Sequence, residues 1–174
     1  MPFWSDPKVS PKLSFRWWAT FGMPGEEIKS YSLRSFQKPS FEIATAEYIW
    51  LNDVEYHPGI LTWNPLEITI TDMEDNSENN TKKLVKILQQ SGYQTEHVNR
   101  PRSAIEKSAA VVAVGNDMYL MQINAEGNPI ESWTLINPFI TAVNFGQANY
   151  GTEEIMTISL TLRYDYAKHQ LEVS

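Results

Sequence analysis

Leu66-Glu67-Ile68-Thr69-Ile70-Thr71 and Thr157-Ile158-Ser159-Leu160-Thr161-Leu162-Arg163 decide the fold class. In both stretches aliphatic residues alternate with hydroxyl or charged ones, a period of two that marks strands with one dry face and one wet face. Leu66, Ile68 and Ile70 are expected to face a core, with Glu67, Thr69 and Thr71 facing water. The second stretch reads as part of one long closing strand. Its apolar side carries Met156, Ile158, Leu160, Leu162, Tyr164 and Tyr166, and its polar side Thr157, Ser159, Thr161, Arg163 and Asp165.

Working outward, most of the chain repeats that pattern. Phe15, Trp17, Ala19 and Phe21 alternate with Arg16, Trp18 and Thr20, which predicts a first strand ending at Gly22 and Pro24-Gly25. Residues 28–35 and 41–46 read as strands separated by Lys38-Pro39, and His57-Pro58-Gly59 reads as a turn. Residues 109–114 form a buried-looking apolar run, read as a strand closed by Gly115-Asn116-Asp117. Residues 118–123 and 130–136 predict a hairpin around Ala125-Glu126-Gly127-Asn128, and 140–145 a further strand before Gly146.

One helix interrupts the strands. Leu84, Val85, Ile87 and Leu88 form an apolar helical stripe, polar residues 72–80 supply its caps, and Gly92 stands where a helix ends. Residues 1–13, with Pro2, Pro7 and Pro11, read as an extended arm, and 96–107 as a long connection. The expectation is one mainly β domain over 1–174, an antiparallel sandwich or barrel with one helix-bearing insertion at 76–92.

Composition narrows the function classes. The chain has 174 residues, 21 acidic and 14 basic side chains, a formal charge of -7 and no cysteine. Thiolate chemistry and disulfides are therefore absent. The acidic balance disfavours sequence-specific nucleic-acid binding, though it suits a passage to which DNA must not adhere. No apolar run approaches a membrane span, and the start lacks a basic-then-apolar leader, so use without membrane export is expected. His57, His97 and His169 are scattered outside metal-ligand spacings, and neither a phosphate loop nor a nucleophile elbow occurs. The run Asp72-Met73-Glu74-Asp75 lacks the glycine and oxygen spacing of a calcium loop. No catalytic residue, metal or cofactor is predicted.

Six tryptophans and eight tyrosines stand out in such a chain. Alternation assigns Trp17 and Trp133 to the core, while Trp18, Trp50, Phe3 and Trp4 are candidates for a partner surface. A carbohydrate-binding sandwich is a second reading of these rings, and it requires several of them coplanar on one face. The hydroxyl-rich polar strand faces read either as an ordinary outer surface or as the wall of a wide barrel closed across subunits.

Beyond these patterns, Lys38-Pro39-Ser40-Phe41-Glu42-Ile43, Ala46-Glu47-Tyr48, Tyr56-His57-Pro58-Gly59 and Leu61-Thr62-Trp63-Asn64 resemble the tail tube proteins of contractile-tailed, T4-type bacteriophages. The carboxyl half, from Gln122-Ile123-Asn124 through Ser132-Trp133-Thr134 to Val143-Asn144-Phe145-Gly146 and Leu162-Arg163-Tyr164-Asp165-Tyr166, is similar in order and spacing. The resemblance implies a virion structural protein, assembled in the host cytoplasm, whose hexameric rings stack into a tube. Each subunit would lend four strands to an inner barrel that passes DNA into the host. Implied partners are further copies of itself, the sheath protein, a baseplate tube initiator, the tape-measure protein and a tail terminator. A baseplate relative, or the tube of a related contractile injection system, shares the same resemblance.

Within that picture the strand faces nominate Glu67, Thr69, Thr71, Thr157, Ser159, Thr161 and Arg163 as lumen-facing. Expected contacts between subunits or rings are Phe3, Trp4, Trp18, Trp50, Leu84, Ile87, Leu88, Arg100, Arg102 and Asp165.

Overall fold

A computed structural model describes residues 12–22, 24–75, 78–93, 105–151 and 153–171. Among these residues ten strands make three antiparallel sheets. The first has the order β1 (Trp17–Thr20), β6 (Asp117–Ile123), β7 (Pro129–Ile136), β10 (Tyr166–Leu171). The second runs β2 (Leu33–Phe36), β5 (Leu66–Thr71), β9 (Thr157–Arg163), β8 (Phe139–Asn144). The third is a two-stranded hairpin of β3 (Phe41–Trp50) and β4 (Asp53–Trp63) that pairs with neither of the others.

The first two sheets form a sandwich over one apolar cluster, to which Ala19, Met118, Leu120 and Leu135 come from one side and Leu66, Ile68, Ile70, Ile158, Leu160 and Leu162 from the other. The period-two reading of 66–71 and 157–163 is thus realised residue by residue. Trp17 and Trp133 pack against this core. Burying such aliphatic side chains stabilises the domain by about 1.5–3 kcal/mol each.

Helix α1 (Asn80–Gln90) begins at Asn79, whose side chain accepts from Lys82 N–H, and it closes at Ser91, as its polar preface predicts. The run 109–114 departs from expectation. It belongs to a second helix, α2 (Lys107–Val114), so the described residues hold two α-helices where one was predicted. A short apolar run fits a buried helix as well as a buried strand, and periodicity does not separate them. Here Gly115 takes φ 106° as the left-handed cap, while its absent side chain leaves room for the Gly22 carbonyl, 2.8 Å from where a Cβ would sit.

Three other departures follow from tertiary pairing. Residues 28–35 hold a single bridge from Ile28 to Phe21, then a 3-10 turn at Ser30–Ser32, before β2 starts at Leu33. His57-Pro58-Gly59 is not a turn but the middle of β4, and β3 extends to Trp50. The chain reverses instead at Leu51, with φ 55°. Pro58 is tolerated because β4 has a partner on one side only, next to a bulge opposite Ala44. Finally, the long closing strand breaks at buried Tyr164. β9 belongs to the second sheet and β10 to the first, so one strand turns the sandwich corner.

Candidate functional site

The polar residues nominated for a lumen come together on one face. The β5–β9 register sets Glu67 opposite Thr161, Thr69 opposite Ser159, and Thr71 opposite Thr157. Neighbouring strands continue these rows, with Ser35 beside Thr69, Asn144 beside Ser159 and Ala142 beside Thr161. Directly opposed residues share a face. The result is a wet wall of hydroxyls and an amide; its four strands hold no lysine, and their charged residues are Arg34, Glu67 and Arg163. Glu67 and Arg163 are exposed, and the Arg163 guanidinium donates to the Trp63 carbonyl at 3.3 Å. Among the described residues both outer strands, β2 and β8, have one strand partner each, so no strand pairs the outer edge of either.

The hairpin β3–β4 has a different character. Every residue from 41 to 62 is exposed, including Ile43, Tyr48, Ile49, Trp50, Tyr56 and Ile60. Leu51 at its tip is 88% exposed and Ile60 80%. Apolar residues lie on both faces, a surface that water leaves unsatisfied and a partner would cover. Sequence reading singled out only Trp50 here. The available signal was a segment, residues 41–63, rich in large apolar residues yet without lysine or arginine.

A cluster centred on Glu131 fastens the root of this hairpin to the first sheet. Lys38 Nζ donates to both Glu131 carboxylate oxygens at 3.1 Å and to Gln122 Oε1 at 2.8 Å, Trp133 Nε1 donates at 2.6 Å, and Lys12 bonds the same carboxylate. Burial pushes the Glu131 carboxyl up, but the hydrogen bonds from Lys12, Trp133 and Lys38 outweigh it and hold the group at about 2. This carboxylate is saturated by fixed donors. Its geometry is that of a clamp, with no open position for a substrate.

The nominated contact residues divide. Trp18 is 40% exposed on the outer face of the first sheet, aligned with Met121, and Trp50 stands at the hairpin tip. Leu84 and Ile87 are correctable: both are fully buried in the chain's own core, against which Leu88 also packs. The stripe of α1 is thereby used up within the subunit, because the insertion folds back onto the sandwich. Asp165 is held within the chain by Lys107 Nζ and by Asn137 Nδ2 at 2.9 Å, and these bonds lower its carboxyl below the ordinary range. Phe3, Trp4, Arg100 and Arg102 lie outside the described residues.

Nor do the rings of the described residues make a stacking platform. Trp17 meets Phe36 edge-on at 74° and Phe41 meets Trp63 at 68°, while Trp18 and Trp50 lie on separate sheets. Among the described residues no group of three or more His, Asp or Glu side chains is placed to hold a metal ion, and no helix is long and apolar enough to cross a membrane.

No family model and no curated protein matches this sequence. Solved structures do match its fold along nearly the whole chain. A chain of the sixfold-symmetrised anti-feeding prophage baseplate superposes with TM-score 0.67 at 14% identity, covering 93% of this chain and 97% of that one. A chain of the sheath/tube terminator of the PVC extracellular contractile injection system gives 0.67 at 16% identity, over 94% and 99%. One from the PVC sheath-tube complex gives 0.63 at 17% identity, over 95% of each chain. The mainly β fold of this chain is that of contractile tail tube proteins.

Proposed function

We propose that this chain is the structural subunit of a contractile tail tube. The observation that carries the reading is the four-stranded sheet β2-β5-β9-β8, which couples a hydroxyl-rich face with few charges to two outer edges that no described strand pairs. An open edge is a row of unpaired backbone donors and acceptors, and closing a ring of copies by pairing β8 of one with β2 of the next satisfies both. The hydroxyl face then lines the bore, and the apolar face stays in each subunit's core.

Such a wall suits transit. Each inward lysine or arginine would bind a phosphate and release a counterion, so a wall whose strands hold two arginines and no lysine, in an acidic protein, offers passing DNA few places to stick. Ring number six comes from the family resemblance, and the baseplate chain with the same fold comes from a sixfold assembly. Sheath, terminator and tape-measure proteins are the partners this role requires. The likeness to a baseplate chain supports a second reading, in which the subunit starts a tube instead of repeating along it.

Electron microscopy with light scattering across concentration tests the proposal. Hollow rings or tubes of uniform width are the expected result. A monomer at every concentration, with a crowding polymer present, overturns it. In assembled tubes, Ser159→Lys is expected to leave the tube intact and slow DNA passage; unchanged passage removes Ser159 from the bore.

A further inference from the structure

The hairpin β3–β4 leaves the sandwich with every residue from 41 to 62 exposed, so only its root fixes its direction. Two tethers act there. On the β4 side Trp63 packs between Phe41 and the corner residue Tyr164, with ring centroids 5.2 and 5.9 Å away, and its carbonyl accepts from Arg163. On the β3 side the tether is Lys38, just ahead of Phe41. Its ammonium is held by Glu131 and by Gln122 Oε1, two residues that stand opposite each other on β7 and β6.

The same two side chains also hold Lys12 and Leu13. Lys12 bonds the Glu131 carboxylate, and Gln122 Nε2 donates to the Leu13 carbonyl at 3.2 Å. Each is therefore shared, Glu131 between two ammonium groups and Gln122 between an ammonium and a carbonyl. Both are buried, and Trp133 Nε1 fixes the carboxylate from a third direction at 2.6 Å.

Sharing couples the two segments, and the sign depends on which of two effects is larger. Two ammonium groups on one carboxylate repel, so losing one would tighten the other. The Lys12 and Lys38 side chains, however, are 50% and 48% exposed, and water screens their repulsion, whereas the Glu131 side chain between them is 9% exposed. What the lysines share is an oriented, desolvated acceptor. Taking Lys12 and Leu13 away admits water to that carboxylate and frees the Gln122 amide to turn, and both changes weaken the hold on Lys38. The screened repulsion is the smaller effect.

We infer that the segment Lys12–Leu13 governs how firmly the hairpin is held, with Glu131 and Gln122 as the relay between them. By reciprocity, whatever draws Lys12 off Glu131 loosens the hairpin, and whatever immobilises the hairpin root tightens the grip on Lys12. Ten residues of β3 at ~3.3 Å each carry the tip about 30 Å from its root, so a small change at Lys38 becomes a large one at Leu51. The relay lies within one chain and does not depend on the conduit reading.

The absence of cysteine makes a clean test possible. In the full chain, Leu51→Cys carries a spin label at the tip and Lys168→Cys one on the first sheet; both positions are exposed. With labelled chains diluted in unlabelled protein, pulsed electron spin resonance reads the distribution of tip-to-sheet distances within single molecules. Lys12→Ala is expected to broaden that distribution roughly twofold or more, as is Lys38→Ala, while Lys12→Arg keeps it narrow. Lys86→Ala, which removes the ion pair between helix α1 and Glu26, is expected to leave it unchanged. Broadening by Lys38→Ala without broadening by Lys12→Ala overturns the relay, because the root is then tethered independently of Lys12. A parent-like distribution in both variants overturns the tether as well. Equal broadening by Lys86→Ala also overturns the relay, since the domain would then be loosening as a whole.

Discussion

Two antiparallel strand pairs of this chain, β5–β9 and β3–β4, have similar backbone hydrogen bonding and opposite surroundings. In β5–β9 one face is sealed against the first sheet and the helices, and the other is hydroxyl-rich. In β3–β4 nearly every residue is exposed, and apolar groups stand on both faces. The first pair completes its burial inside the subunit, whereas the second leaves it to be completed elsewhere. Local strand geometry is thus the same device in both, and the distribution of apolar residues decides which pair serves folding and which serves association.

That contrast is most easily broken in the sandwich. Leu160→Ala removes a fully buried side chain from β9 and is expected to cost about 2–5 kcal/mol of unfolding free energy in chemical denaturation. A loss under about 1 kcal/mol would mean the sheets are not sealed there.

Glu131 probes the link between the two regions. Its carboxyl sits at about 2 in the folded chain against 4.5 ordinarily, so its stabilisation is complete above pH 4.5 and is lost as pH falls from there toward 2. Full loss amounts to roughly 3 kcal/mol at most. Glu131→Gln is expected to flatten the acid limb of a stability-against-pH curve; an unchanged limb would show that Lys12 and Lys38 do not clamp this carboxylate.

The smallest effect on stability sharpens the contrast. Ile60→Ala, on the hairpin, is expected to change unfolding free energy of the monomer by no more than about 0.5 kcal/mol while weakening self-association in sedimentation. A large loss of monomer stability would mean that the hairpin folds as part of the core.

The candidate wall was legible because alternation in 66–71 and 157–163 is a local property of strands, and register then aligned the two polar faces. The contact residues were less legible. Leu84 and Ile87 form an amphipathic stripe that fits an outside partner or the chain's own core equally well, and only the fold-back of α1 assigns them to the core. The hairpin was obscured by Pro58, which ordinarily punctuates a chain and here sits in a strand that needs no second partner.

The sequence by itself determined a mainly β domain with a helix within 76–92, its period-two core, its lysine-free hydroxyl face and its acidic, cysteine-free composition. Side-chain alternation and charge are set by the order of residues alone. Only the tertiary structure decided that 107–114 coils into a helix, that the closing strand divides at Tyr164 between two sheets, and that β3–β4 stands apart from both. Those outcomes depend on which distant surfaces are available to bury an apolar run or pair a strand edge, and no local window of residues contains that information.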